Sequence, residues 1–237
     1  MARYLALTVI VLSAASADAA PARVFIDAGH GVGTNQGAQT LLCGTEADFT
    51  LELARDLEQR LKSSKRWQVQ LSRTSSIGPS YRRRLHAARR FRAQALLSVH
   101  ADVRGSAQYY APQPGQRCLK NDAQPGFSVL VSDDASHMMQ DRFRLARAVA
   151  KAMNEVGFVA YGGVDYEGLY VADSIPGVFI DRRGLLMLRR PSMPSVIIET
   201  HHALHPGDYA LWQTKGARAA FALAIDRALQ QALTQDE

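Results

Sequence analysis

Five short β-forming runs, separated by helical stripes, limit what this chain can fold into. They are VFID (Val24–Asp27), WQVQLSR (Trp67–Arg73), ALLSVH (Ala95–His100), FSVLVS (Phe127–Ser132) and SVIIE (Ser195–Glu199). Each has strand length and an apolar or alternating pattern. Between the first two, Leu51, Ala54, Leu57 and Leu61 recur at three and four residues. That is the stripe of a core-facing helix over Glu46–Lys62, with Thr45 placed as its N-cap. Tyr81, Leu85 and Ala88 mark a second helix over Tyr81–Gln94, with arginines mostly on its other face. Phe143, Ala146, Ala150 and Met153 mark a third over Asp141–Val156, and a last helix lies within Gly207–Leu233, clearest from Ala217. Alternating strands and helices predict an α/β fold: a single domain whose mostly parallel central sheet is covered by helices on both faces. Arg104–Gly126 reads as a long loop or lid. Tyr161–Arg190 is glycine-rich, with GLLML (Gly184–Leu188) as a candidate strand.

At 237 residues, 47% hydrophobic and 21% charged, the chain can bury a real core, which excludes a disordered or fibrous protein. Its formal charge of +6 admits nucleic acid, an anionic membrane or an acidic polymer as partner. The arginine-rich helix has no interleaved aromatics on its charged face and no nucleic-acid motif, so nucleic acid is not expected and a solvated face is. Anionic cell-wall or membrane polymers stay candidates for that face. Residues 1–19 read as a signal peptide: Arg3, an apolar run from Leu5 to Leu12, then Ala17 and Ala19 placed for cleavage. The run is too short to span a bilayer comfortably, so no stable membrane span is expected. The protein is therefore expected to be exported, to the periplasm or beyond the cell, with residues 20–237 forming one domain. Cys43 and Cys118 are then a candidate disulfide, and two cysteines exclude a Cys-rich zinc site.

The chemistry-bearing residues sit at strand ends, where open α/β sheets hold their ligands. His30 follows the first strand inside Gly-His-Gly, His100 closes the third, and Glu199 closes the last. Glu46 opens the first helix, which faces the same rim if it follows strand one. Two imidazoles and a carboxylate suit a catalytic zinc, and a further carboxylate can take the proton of an attacking water and return it to a leaving amine. His30, Glu46 and His100 fit the ligand roles and Glu199 fits the base. Each has a duller reading: a turn residue, an acid at a helix N-terminus, a core histidine, a partner for an arginine.

VFIDAGHG, GTEADFTLELARDLEQRL (Gly44–Leu61), VQLSR (Val69–Arg73), RLHAARRFRAQALLSVHAD (Arg84–Asp102) and MPSVIIET (Met193–Thr200) together resemble the zinc-dependent N-acetylmuramoyl-L-alanine amidases of the family-3 type. The resemblance runs over nearly all of residues 20–237. It implies Zn2+ held by His30, Glu46 and His100, Glu199 as the catalytic glutamate, and peptidoglycan as substrate. The bond cut would be the amide between N-acetylmuramic acid and L-alanine. A partner protein could act as activator. The chain departs from the family pattern in three places. ETHHALHP, with His201, His202 and His205, replaces the usual Gly-Phe and Ser-Asn after the glutamate. Ala47 stands for Lys and Arg89 for Asn. The histidines could line the leaving-group side or hold a second metal; a polar loop at the site rim is the expectation. Two rivals remain at this stage. One is a related zinc hydrolase, of carboxypeptidase or N-formyl amino acid amidohydrolase type, separable by substrate profiling. The other is a non-catalytic cell-wall binding protein, whose binding would survive metal removal.

Overall fold

In each central strand, alternate residues go to opposite faces of the sheet, and the apolar side chains of both sets are buried. Val24 and Ile26 pack on one face and Phe25 on the other; Leu97 and Val99 oppose Leu96; Val196 and Ile198 oppose Ile197. A strand buried on both sides needs covering layers on both sides, which is why these runs are nearly continuous in apolar residues.

The structure is a computed structural model describing residues 20–134 and 137–233; the expected signal segment 1–19 lies outside the described residues. Along the chain come β1 (Ala22–Ala28), α1 (Glu46–Ser63), β2 (Trp67–Leu71), α2 (Tyr81–Arg90), β3 (Ala95–Asp102), β4 (Gln108–Tyr110) and β5 (Cys118–Lys120). There follow β6 (Ser128–Val131), α3 (Met139–Glu155), β7 (Tyr170–Ala172), β8 (Val178–Asp181), α4 (Leu186–Arg189), β9 (Ser195–His202), α5 (Pro206–Trp212) and α6 (Lys215–Leu233). The main sheet has the order β2-β1-β3-β9-β6-β8-β7. Pairs β1–β2, β1–β3, β3–β9 and β6–β8 are parallel; β6–β9 and β7–β8 are antiparallel. The larger core lies under α1, α3 and α6, and the smaller one under α2 and α4. The mostly parallel α/β domain is the one the sequence pattern predicts. Among the described residues no helix is long and apolar enough to cross a membrane.

Three local expectations change. GLLML forms no strand: Leu186–Arg189 is the short helix α4, which buries Met187 and Leu188. Leu and Met, unbranched at Cβ, favour helix over strand, and apolarity alone does not separate the two in so short a run. The strands of that region are instead YVA and a second VFID, Val178–Asp181, the same tetrapeptide as Val24–Asp27. Arg104–Gly126 is no plain loop, because β4 and β5 pair within it as an antiparallel hairpin. A disulfide joins Cys43 to Cys118 with a Cα–Cα distance of 5.0 Å, Leu119 N donates to Gln39 Oε1 at 2.8 Å, and Tyr110 OH donates to Leu41 O at 2.5 Å. These bonds pin the hairpin to the segment before α1.

Finally, the arginine face is not all solvated. Arg84 is fully buried and donates from Nη1 to Asp27 Oδ1 at 2.9 Å, and Asp27 also accepts from Ser98 Oγ at 2.6 Å. Burial works to raise the Asp27 pKa, but the Arg84 guanidinium and the Ser98 and Ser72 hydroxyls outweigh it and hold the carboxyl below its ordinary range.

Candidate metal centre and catalytic pocket

β1 ends at Ala28, and the chain turns through Gly29-His30-Gly31 with His30 in the left-handed region at φ 58°. A non-glycine residue pays for this conformation, so the surroundings must hold it. They do so through carbonyls. Arg84 Nη2 donates to His30 O at 2.5 Å, and Arg73 Nη2 donates to Gly29 O at 2.8 Å and to Ala47 O at 2.6 Å. Thr50 Oγ1 adds a bond to Gly29 O at 2.8 Å. Two buried arginines thus hold the turn that carries the histidine, and Arg73 ties it to the first turn of α1.

Glu46 is the first residue of that helix. Thr45 caps it, accepting from Asp48 N at 3.1 Å. His30 Nε2 lies 3.0 Å from Glu46 Oε2, and His100 Nδ1 lies 2.9 Å from Glu46 Oε1. One donor atom from each of the three residues falls within 4.8 Å of the others. On the far edge of the His30 ring, Nδ1 faces Asn35 Oδ1 at 3.0 Å. An amide oxygen only accepts, so Nδ1 carries the hydrogen there, and Nε2 is the nitrogen that would offer its lone pair to a metal in the centre. Asn35 is itself fixed: Oδ1 accepts from Gly37 N at 3.1 Å, and Nδ2 donates to Tyr81 OH at 3.2 Å. Backbone comes unusually close to this cluster. A Cβ on Gly29 would fall 2.5 Å from His100 Cε1, and one on Gly37 would fall 2.5 Å from Glu46 Oε2 and 2.6 Å from His30 Cδ2. Only glycine fits these two positions, and Gly37 also sits at φ +73°.

Glu199 enters from β9, directly opposite His100 on β3 in the parallel register. Neither closes its strand: β3 continues to Asp102 and β9 to His202. Glu199 lines a cavity of about 270 Å³ with His30, His100, Tyr81, Arg183 and a wall of Leu185, Leu186, Met187 and Ile197. Burial pushes the Glu199 carboxyl up to about 8, with Asp102 and Glu46 adding to the rise and His100 and Arg183 opposing it. Burial disfavours charge on His100, but its bond to Glu46 and the nearby Glu199 push it up to about 9. Glu46 goes the other way: burial would raise it, and the bonds from His100 and His30 hold it well below the carboxylate range. The electrostatic demand of this cluster is for positive charge between Glu46 and Glu199.

The three later histidines do not form a polar loop at the rim. His201 and His202 are the last residues of β9, both buried. His201 stacks on Trp212 with centroids 5.5 Å apart and meets Phe49 edge-on at 4.8 Å. His205 caps α5, its Nδ1 accepting from Asp208 N at 3.2 Å. None of them joins the His30–Glu46–His100 group. Burial, with Arg104 and His202 nearby, drives the His201 pKa down to about 3. The unfolded chain then takes up this proton near the ordinary histidine value while the folded chain refuses it. Stability is therefore full above pH ~6.5 and falls as pH drops below that value, by about 1.4 kcal/mol per unit. Between pH 7 and pH 5, urea titration should show a loss from this site of about 2 kcal/mol that His201→Phe does not share. Equal losses in both proteins would remove His201 as the cause.

With this geometry in place, comparison with known proteins decides the family. The family described as N-acetylmuramoyl-L-alanine amidase (Amidase_3) matches residues 24–231. The chain belongs to that family. Among curated proteins, it is 38% identical over 85 residues to the probable N-acetylmuramoyl-L-alanine amidase AmiB of Haemophilus influenzae, a match covering 35% of this chain. It spans only 19% of that relative's length. Among solved structures, an N-acetylmuramoyl-L-alanine amidase from Clostridium difficile 630 superposes with a TM-score of 0.70 at 21% identity, over 92% of this chain and 100% of that one. Ami1 from Mycobacterium smegmatis gives 0.70 at 21% identity, over 92% of this chain and 99% of that one. At such identities the structural likeness carries the fold. His30, Glu46, His100 and Glu199, the four residues the sequence pattern singles out, are brought to one place by the fold. Sequence pattern does not reveal Asn35, Tyr81, Arg84 or Arg73 as the residues that hold this centre in shape. The repeated VFID, each copy ending in a buried aspartate, was the available signal for the second buried acid, Asp181.

Proposed function

We propose that this amidase is an exported zinc enzyme that hydrolyses the amide between N-acetylmuramic acid and L-alanine in peptidoglycan. His30, Glu46 and His100 would hold the metal and Glu199 would act as acid–base. The observation that carries the reading is the convergence of two imidazole nitrogens and one carboxylate oxygen beside a cavity that Glu199 lines. Nitrogen and oxygen donors in this ratio suit zinc and leave it an open position, the pattern of a catalytic site rather than a structural one. When bound, zinc would supply Lewis-acid polarisation of the scissile carbonyl and a more acidic water.

The chain's own residues supply the rest. The Asn35 bond fixes the His30 tautomer, and the Ala38 N–H at 2.9 Å and Ala101 N–H at 3.2 Å hold the Glu46 carboxylate in one orientation. Positive charge beside Glu199 would favour its carboxylate, ready to accept a proton from the attacking water. The same oxygen can then deliver that proton to the alanine nitrogen as the C–N bond breaks. The apolar wall around Leu186 and Ile197 limits water in the cavity. Export is supported by the apolar run Leu5–Leu12 and by the Cys43–Cys118 disulfide, which suits an oxidising compartment.

The test is metal content of the purified protein, together with release of stem peptide from isolated peptidoglycan with and without a chelator. Stoichiometric zinc and chelator-sensitive cleavage at the muramic acid–alanine bond are expected. A zinc-loaded protein that leaves this bond intact but cleaves another amide would reassign the substrate.

A further inference from the structure

Beside the catalytic cavity lies a second depression of about 420 Å³ between α2 and α4, and Leu186 lines both. Arg82, His86, Arg89 and Arg190 surround it, and no acid lines it. Several surface arginines of this chain are paired with acids. Arg66 pairs with Asp226, Arg147 with Asp173, Arg182 with Asp133, and Arg218 with Asp56. Arg82, Arg89 and Arg190 have no acidic partner among the described residues. Arg89 and Arg190 stand at helix C-termini, which favour a cation, but helix stability does not account for Arg82. Arg82 stands in the first turn of α2, which contains no acid, and there it opposes the positive end of the helix dipole. Unpaired cations converging on a concave surface next to a reaction site call for an anionic part of the substrate.

We propose that the groove between α2 and α4 binds the carboxylates of the stem peptide, so that the peptide leaves the scissile amide over Leu186 toward Arg82, Arg89 and Arg190. The inference rests on the amidase reading and gives the substrate its direction. In the intact substrate the muramic acid carboxyl is consumed in the amide and the sugar carries no charge there. The anionic groups lie on the peptide side. A cationic groove on one side of the cavity therefore selects the peptide and leaves the opposite side for the glycan.

The experiment compares two soluble muramoyl-peptides, one with free stem carboxylates and one with every carboxylate converted to carboxamide. Each is tested on the zinc-loaded full chain and on R82Q/R89Q/R190Q. Amidation is expected to raise the wild-type KM about tenfold with little change in kcat, the scale of a few exposed ion pairs acting together. The triple variant should show the raised KM on the free-acid substrate and no further change on the amidated one. Equal KM values for both substrates in wild type, with the variant unaffected, would overturn the proposal and leave the amidase reading standing. If neither substrate is cleaved by wild type, the amidase reading fails first. Calorimetric binding of the free stem peptide to the metal-free chain then decides the groove: salt-sensitive binding lost in the triple variant supports it, and unchanged binding rejects it. Loss of binding to phosphatidylglycerol vesicles in the variant, with KM intact, would make the groove a membrane contact and also overturn the proposal.

Discussion

Glu199→Ala is expected to lower peptidoglycan turnover by about 10²–10⁴-fold, the usual contribution of a positioned acid–base group, while zinc content stays stoichiometric. Glu199 is buried, lines the catalytic cavity and stands opposite His100, so the substitution removes the proton carrier without touching a metal donor. His30→Ala and His100→Ala should lose both zinc and activity, because each takes away one of three donors. Metal analysis and turnover on the same preparations separate the two classes. A Glu199→Ala protein with normal turnover would sink the mechanism. Full loss of zinc in that variant would instead place Glu199 among the ligands.

Arg84→Met should cost about 3–5 kcal/mol of folding stability, since it leaves the Asp27 carboxylate buried without its partner. Both side chains of the pair are fully buried, so solvent cannot replace the lost guanidinium. The same arginine donates to Ala28 O at 2.7 Å and to His30 O, so the variant should also bind zinc more weakly. Asp27→Val with Arg84→Met should recover much of the stability, because two apolar side chains leave no orphaned charge. It should not recover the zinc affinity, because the His30 carbonyl stays unheld. Urea unfolding gives the first quantity and competition with a chromogenic chelator the second. A single variant as stable as wild type would show that water reaches Asp27 despite its burial.

Much of this architecture was legible because the underlying signals are local. The short continuous apolar runs in Val24–Asp27 and Ser195–Glu199, and the Leu51–Leu61 stripe, depend only on neighbours within a turn or a pleat. The arginine helix shows where that ends. Arg82, Arg84 and Arg89 look alike in sequence, yet Arg84 is buried against Asp27 while the other two face an open groove. The three histidines after Glu199 show the same limit. Polarity suggested a rim loop, but β9 runs on through His202 and carries His201 into a stack with Trp212.

The sequence by itself determined the kinds and order of the central elements and singled out the four residues that the fold brings together. Those depend on side-chain type and short-range spacing. Tertiary structure alone decided which carbonyls hold the His30 turn, which arginine is buried, and where the unpaired arginines gather. Each of these is a meeting of segments far apart in the chain, such as Asp27 with Arg84 across 57 residues. Such a meeting is settled by how strands register and helices pack, and no local pattern encodes it.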